Sequence, residues 1–270
     1  MDGMPGQYPE QYYHVDSNEE PTAGLAFTGK PAAHRFQDKE VPHINTLFER
    51  PRLKLICGED ERMRVDARVL PHSIICRLVI SDKKNREYCG TGFFISPKCV
   101  ITSGHCVFIQ GNWAKSILVI PGDNGSEDRR PFGAQISHRF QSVDGWTKMN
   151  LRDFDYGAII LPDDTLYQKV GAFFEPKVIS DVLEVFNYGY TGEYTKPYEQ
   201  WGRSGVLKQV SMHRLYYNID TESGESGSPI LVKEGDQFKV VGIHSYGFCP
   251  NFCVRIDERI INVFSGWKTL

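Results

Sequence analysis

Residues 220–230 read DTESGESGSPI, and this stretch places small residues around Ser226 immediately before an apolar run. Glycine and serine residues favour tight turns. A serine that attacks a carbonyl group must stand clear of the backbone while nearby N–H groups face the developing oxyanion. The stretch therefore predicts Ser226 as a nucleophile, with the N–H groups of Gly224 and Ser226 as oxyanion donors. Taken alone, the same letters also fit an ordinary turn between two strands.

A serine hydroxyl needs a neighbouring base that takes its proton, and histidine is the usual base near neutral pH. His105 is the candidate. It lies near the end of the segment GFFISPKCVITSGHC at residues 92–106, which predicts a strand, a turn, a second strand and a tight bend. A histidine beside Cys106 also fits a metal ligand or a core residue. The pairing with the serine turn favours the role of base.

The third group expected is a buried carboxylate that orients the imidazole and stabilises its cation. Asp155 opens an apolar strand in DFDYGAIIL at residues 153–161. Asp153 lies two residues earlier and would share its face of the strand. Either aspartate also fits an ordinary strand cap, so the local pattern leaves both open.

The rest of the chain predicts an all-β fold. Short runs rich in β-branched and aromatic residues are bounded by Gly, Pro, Asp, Asn or Ser, as in sandwiches and barrels. These runs lie at 73–80, 92–96, 99–102, 117–120, 156–161, 183–186, 205–207, 229–232 and 239–244. Two β halves joined near residues 162–180 fit this count, and residues 256–265 predict one terminal helix that ends before Gly266. Residues 1–54 show no useful periodicity and are interpreted as a largely unstructured leader or pro-segment, with the domain at 55–270.

Composition narrows the function classes. The 270 residues are 40% hydrophobic and 24% charged, without an apolar run long enough to span a membrane. With 31 Lys+Arg against 34 Asp+Glu, the net charge of -3 gives no basic field for nucleic acid or an acidic membrane. The polar amino terminus has no secretory signal pattern. Seven cysteines leave at least one thiol without a partner in the chain.

The order His105, Asp155, Ser226, set in TSGHC, DYGAIIL and GESGSPI, resembles the chymotrypsin-fold serine peptidases over residues 55–264. The resemblance implies two antiparallel six-stranded β-barrels with the three residues in the cleft between them. It also implies Asp155 rather than Asp153 as the catalytic aspartate and a disulfide between Cys89 and Cys106. We expect a monomer without cofactor or metal that acts on protein or peptide substrates and is secreted.

Four further segments resemble the glutamyl endopeptidase branch, namely GEDERMRV at 58–65, YGYTG at 188–192, IDT at 219–221 and GIHSYG at 242–247. This resemblance implies cleavage after Glu, and also after Asp, with His244 and Thr221 holding the substrate carboxylate. A buried carboxylate needs such donors, because its desolvation otherwise costs several kcal/mol. The resemblance also places a mature terminus near Leu55, after cleavage at Lys54.

Two positions depart from that branch and keep alternatives open. Asp220 lies six residues before Ser226, where trypsin-type enzymes carry the aspartate that binds Lys or Arg, so cleavage after Lys or Arg is the first alternative. Glu225 is a longer acid than these families carry beside the nucleophile. An inactive protease-like binding module is the second alternative. Cys249 and Cys253 fit a small disulfide loop, or two ligands of a metal.

Overall fold

The computed structural model describes residues 8–18, 61–126, 128–192, 198–247 and 250–270, and these residues form a mostly β structure. All nine runs predicted as strands are strands, although several are longer than predicted. The strands are β1 Val15–Ser17, β2 Met63–Arg64, β3 Ile75–Ser81, β4 Glu87–Ser96, β5 Cys99–Thr102, β6 Phe108–Ile109, β7 Asn112–Trp113, β8 Ser116–Pro121, β9 Gln135–Ser137, β10 Arg139–Val143, β11 Gly157–Ile160, β12 Glu175–Pro176, β13 Glu184–Tyr190, β14 Gln200–Val210, β15 Arg214–Tyr217, β16 Pro229–Glu234, β17 Gln237–Tyr246 and β18 Asn251–Arg255.

The first sheet is a half-barrel with strand order β1-β10-β11-β5-β4-β3-β8-β9. Its pairs are antiparallel, and β11 pairs with β5 so that Gly157 lies opposite Thr102. β5 leads into His105, and β11 follows Asp155. This register therefore places the two predicted catalytic residues at the same end of these neighbouring strands. The edge strand β1 comes from the segment that the sequence predicted to be a leader.

The second sheet closes into a six-stranded barrel. The order β17-β16-β13-β14-β15-β18 is completed by pairing of β18 with β17, while β12 and β2 add at the outside. The predicted two-barrel, all-β class is thus confirmed. The chain passes from the first sheet to the second between β11 and β12, within the connection that the sequence predicted at residues 162–180.

Helices are few. They are α1 Gly104–Val107, α2 Asp144–Thr147, α3 Thr165–Val170 and α4 Glu258–Trp267, with single 3-10 turns at Glu10–Tyr13, His72–Ile74 and Arg152–Phe154. The predicted terminal helix is confirmed as α4, and the Asp257 side chain caps it by accepting a hydrogen bond from Ile260 N. The prediction that it ends before Gly266 is wrong. The helix continues to Trp267, which is buried against Tyr156 and Phe264, so tertiary packing outweighs the low helix propensity of glycine.

The cysteines of the described part of the chain, Cys76, Cys89, Cys99, Cys106 and Cys253, are all free thiols. The disulfide implied between Cys89 and Cys106 is therefore not formed in this structure. Cys57 and Cys249 lie outside the described residues, and so does the predicted loop closure from Cys249 to Cys253. No helix in the described ranges has the length and apolarity needed to cross a membrane.

Candidate active site

His105 and Asp155 form a buried pair at the edge of the half-barrel. The Asp155 carboxylate contacts the histidine twice: Oδ2 lies 2.8 Å from His105 Nδ1, and Oδ1 accepts the His105 backbone N–H at 2.8 Å. Ser245 Oγ also donates to the Asp155 carbonyl at 3.3 Å. An aspartate in this position fixes the tautomer with the proton on Nδ1, which leaves Nε2 as the basic nitrogen.

Burial and charge act in opposite directions on His105. Burial lowers its pKa, but the Asp155 charge, together with Cys106, outweighs burial and raises the pKa well above 6.5. The nearby carboxylate therefore stabilises the imidazolium form. A histidine with these neighbours is suited to receive a proton during a reaction.

Ser226 is brought to the same place by the loop before β16. Its carbonyl accepts the Thr91 N–H at 2.9 Å and the thiol of Cys106, the residue after His105, at 3.9 Å. The next residue, Gly227, packs so closely on this wall that an added Cβ would collide with Thr91 O and the Thr102 side chain. Its φ of +88° is a second reason for glycine. The serine turn and the histidine turn are thus in direct contact.

The turn around Ser226 points alternate backbone N–H groups in different directions. Glu225 N–H donates back to the Glu222 carbonyl at 3.1 Å, whereas the N–H groups of Gly224 and Ser226 have no hydrogen-bond partner among the described residues. Gly224 has a φ of +102°, and an added Cβ would lie 2.5 Å from Gly192 N. Two unpaired amides, one of the candidate nucleophile Ser226 and one two residues before it, are the arrangement expected for an oxyanion site.

A buried arginine holds this turn from behind. Arg62 has no exposed side-chain surface and forms ion pairs with Glu225, also fully buried, and with Glu222 at 3.0 Å. Those two glutamates stand at the two ends of the turn. Arg62 is itself held in place by the strand that follows it, β2, which pairs with Trp201 and Gly202 of β14. Sequence reasoning missed this residue, because arginine is mostly exposed and nothing local marks it as buried.

His244 and Thr221 lie in the second barrel behind the serine turn. The His244 carbonyl accepts from Gly227 N at 2.7 Å, and its Nδ1 lies 2.5 Å from the Tyr217 hydroxyl. Burial lowers the His244 pKa to about 3, with a further contribution from the charge of His105, while burial raises that of Tyr217 well above 10. A neutral imidazole that accepts from a protonated tyrosine carries its own proton on Nε2. Tyr217 is a second contributor that the sequence did not reveal.

The region around His244 and Thr221 holds two hydrogen-bond donors without a partner among the described residues. Within the described ranges no group bonds to His244 Nε2, and Thr221 Oγ1 is buried without a hydrogen-bond partner. The third predicted pocket residue, Asp220, is 2% exposed, and its Oδ2 accepts the backbone N–H of Glu61 at 3.3 Å. One Asp220 oxygen is thus directed at the segment that carries Arg62.

Asp153, which the local pattern left open, is bonded elsewhere. Its oxygens accept from Tyr8 Oη at 2.6 Å and from Arg214 Nε at 2.5 Å. Of these two aspartates, Asp155 is the one that contacts His105.

A histidine–aspartate pair beside a glycine-lined serine turn, between a half-barrel and a closed six-stranded barrel, defines a serine hydrolase of the two-barrel class. The chain belongs to the trypsin family, whose model, described as "Trypsin", matches residues 67–259. It is a serine endopeptidase.

Two bacterial proteins are similar to most of the chain. "Glutamyl endopeptidase" of Bacillus licheniformis is 28% identical over 94% of this chain and 82% of that protein. "Extracellular metalloprotease" of Bacillus subtilis is 30% identical over 78% of this chain and 69% of that protein. That second name implies a metal, but no group of three or more His, Cys, Asp or Glu side chains in the described residues is arranged to hold one.

Solved structures agree on the fold. A "Glu endopeptidase in complex with MPD" matches with a TM-score of 0.71 and 25% identity, over 80% of this chain and all of that one. The protease Anisep from Arthrobacter nicotinovorans matches with a TM-score of 0.65 over 77% of this chain and all of that one; at 14% identity it supports the fold alone.

Proposed function

We propose that this endopeptidase cleaves peptide bonds after Glu and uses Ser226, His105 and Asp155 as its catalytic residues. The observation that carries the catalytic assignment is the double contact of the Asp155 carboxylate with His105 at the point where the Ser226 turn docks. The similarity to two glutamyl endopeptidases supports the preference for Glu.

The chemistry proceeds in two halves. His105 Nε2 takes the Ser226 hydroxyl proton while Oγ attacks the scissile carbonyl, and Gly224 N–H and Ser226 N–H donate to the oxyanion. The same proton passes from His105 to the leaving amine, which leaves an acyl-enzyme. Water then gives its proton to His105 and attacks the ester, and the returned proton restores Ser226. Asp155 stays ionised throughout and stabilises the imidazolium.

The preference for Glu rests on donors that have no partner among the described residues. A substrate glutamate brings a carboxylate, which accepts but does not donate when ionised. Thr221 Oγ1–H and the Nε2–H of neutral His244 are available to it, and the bond from Tyr217 keeps the His244 proton on Nε2. A bond to such a charged acceptor contributes about 1.5–3 kcal/mol. The alternative of cleavage after Lys or Arg needs the Asp220 carboxylate in the pocket, whereas one of its oxygens bonds to Glu61 N.

The proposal also covers the proteolytic processing of the chain and its secretion. The extracellular naming of one relative supports secretion, and cleavage after Lys54 would convert a zymogen into the mature enzyme. Leu55, the expected new terminus, lies outside the described residues. In an oxidising compartment Cys89 and Cys106 would then be oxidised to a disulfide. Their positions support this, because a Cβ added at Gly90, the residue after Cys89, would lie 3.2 Å from Cys106 Sγ.

A panel of chromogenic peptides that end in Glu, Asp, Lys or Arg tests the specificity in one assay. We expect the highest kcat/KM for the Glu peptide, measured on material trimmed at Lys54. A preference for Lys or Arg would assign the pocket to Asp220 instead. Labelling by a fluorophosphonate, lost in Ser226→Ala, tests the nucleophile independently of specificity.

Thr221→Val tests the pocket, because valine keeps the shape and removes the hydroxyl. We expect kcat/KM for the Glu peptide to fall about 10- to 150-fold, the equivalent of one bond to a charged group. Thr269→Val, at the exposed carboxyl-terminal end, is the matched control and leaves kcat/KM unchanged. An equal loss for all four peptides would show that Thr221 supports the fold rather than the specificity.

A further inference from the structure

The amino-terminal segment 8–18 is part of the folded body. We call this segment the strap, and the surface beneath it, formed by β10, α2, the turn Arg152–Phe154 and α4, the strap site. Strand β1 of the strap pairs with β10 in the antiparallel register Val15 to Val143. Two further backbone bonds, from Asp144 N to His14 O and from Asn18 N to Phe140 O, extend this pairing at both ends.

The strap closes over the turn that carries the catalytic aspartate. Phe154, the residue before Asp155, has a ring that is 1% exposed and is covered by three strap tyrosines. Ring centroids lie 4.9 Å away for Tyr8 and Tyr13, and 5.9 Å away for Tyr12. Without the strap this ring would face solvent, with a loss of buried apolar area and of the edge-to-face contacts.

Polar groups make the same contact specific. Tyr8 Oη donates to Asp153 Oδ2 at 2.6 Å, while Arg214 of the second barrel bonds to the other oxygen of that carboxylate. The Tyr8 carbonyl accepts from Arg259 of α4 at 2.9 Å, and the Arg259 guanidinium lies 5.1 Å from the Tyr13 ring. Removal of the strap would leave a buried carboxylate with one donor fewer.

We infer that the strap stays bound at the strap site after the chain is cut between residues 19 and 60, so that the processed enzyme is a noncovalent two-chain protein. The inference deepens the proposed processing, because it assigns residues 8–18 to the active enzyme rather than to a discarded pro-segment. Strand pairing, the tyrosine cluster and the Tyr8–Asp153 bond hold the two chains together. Through Phe154 and Asp153, the strap acts as a positioning element for Asp155.

The test uses the full-length Ser226→Ala protein with a recognition sequence for a site-specific protease inserted after Gly29. Binding is thereby separated from catalysis and from the natural processing site. After complete cutting, size-exclusion chromatography and native mass spectrometry at micromolar concentration should show both pieces together. Separate elution of the amino-terminal piece would overturn the inference.

A pair of variants tests which contacts retain the strap. Tyr8→Ala/Tyr13→Ala should release the cut piece, whereas Tyr167→Ala, which removes a tyrosine from α3 on another face, should retain it. Equal retention in both variants would overturn the assignment of the tyrosine cluster as the contact that holds the strap. In the chain with Ser226 intact, the cut enzyme should keep its kcat. The cut Tyr8→Ala/Tyr13→Ala enzyme should lose at least about tenfold in kcat with KM unchanged, because Asp155 is no longer held in place. Absence of fluorophosphonate labelling in the chain with Ser226 intact, both before and after cutting, would contradict the proposed function and leave the binding result standing.

Discussion

Replacement of Arg62 by Met should lower kcat strongly although Arg62 does not contact the substrate. Arg62 is fully buried and is paired with Glu225, which is also fully buried, and with Glu222. Methionine fills part of the same volume but leaves a buried carboxylate without its counter-charge. Breaking a buried pair on one side costs about 3–5 kcal/mol, because the remaining charge stays desolvated.

Most of that cost falls on the turn that carries the Gly224 and Ser226 amides. Glu225 lies between them, and its own N–H closes the turn onto Glu222 O. A turn that rearranges to hydrate Glu225 misplaces both amides, and loss of one oxyanion donor alone lowers kcat about 10²- to 10³-fold. We therefore expect Arg62→Met to lower kcat by about this factor while KM stays within about threefold, since the amides act mainly in the transition state.

The assay measures kcat and KM on the Glu peptide with the active fraction counted by fluorophosphonate titration, and urea unfolding in the Ser226→Ala background. Arg64→Met is the matched control: Arg64 lies two residues after Arg62, in β2, but its side chain is 45% exposed and pairs with Glu199 at 3.4 Å. It should change stability by less than about 1 kcal/mol and leave kcat unchanged.

Glu225→Gln, alone and combined with Arg62→Met, separates charge from packing. Glutamine removes the buried charge, so the double variant should be more active than Arg62→Met alone. If Arg62→Met loses stability but keeps kcat within about threefold, the ion pair serves only to anchor β2, and the reasoning is refuted.

Three further outcomes are expected. Asp155→Asn should lower kcat about 10⁴-fold, whereas Asp153→Asn, which does not contact His105, should cost far less; steady-state kinetics compares the two. Gly227→Ala should destabilise the fold by about 2 kcal/mol or more in urea unfolding, and a value near zero would disprove the close approach to Thr91. Stability should fall as pH falls below 6.5, because unfolded His244 takes up a proton there while the folded form does so only near its pKa of about 3. From pH 6.5 to pH 5 this loss is about 1.6 kcal/mol, and urea unfolding should show it for Ser226→Ala but not for Ser226→Ala/His244→Gln.

The sequence predicted those structural elements that depend on residues close together in the chain. The serine turn needs glycine at 224 and 227 because of backbone conformation and space, and such needs leave a recognisable pattern. The strands were found from their β-branched runs. The choice of Asp155 over Asp153 came from the resemblance, because spacing alone puts both on one face.

The parts that escaped prediction depend on partners far along the chain. Tyr8 and Tyr13 lie in a stretch without periodicity, and their packing on Phe154 joins positions about 140 residues apart, which no local pattern encodes. The same holds for Tyr217, whose hydroxyl sets the tautomer of His244 from another strand. The free thiols of Cys89 and Cys106 differ from the implied disulfide, since oxidation state depends on the compartment as well as on proximity.

The region that matches the trypsin family begins at residue 67, yet both supports of the catalytic loops come from residues before it. Arg62 holds Glu225, the neighbour of the nucleophile, and the strap covers Phe154, the neighbour of the catalytic aspartate. Each support contacts a buried side chain next to a catalytic residue. The stable form of these two loops thus depends on upstream chain as well as on the two barrels. We therefore expect catalytic competence in this protein to require residues 8–18 and 61–64 together with the two barrels.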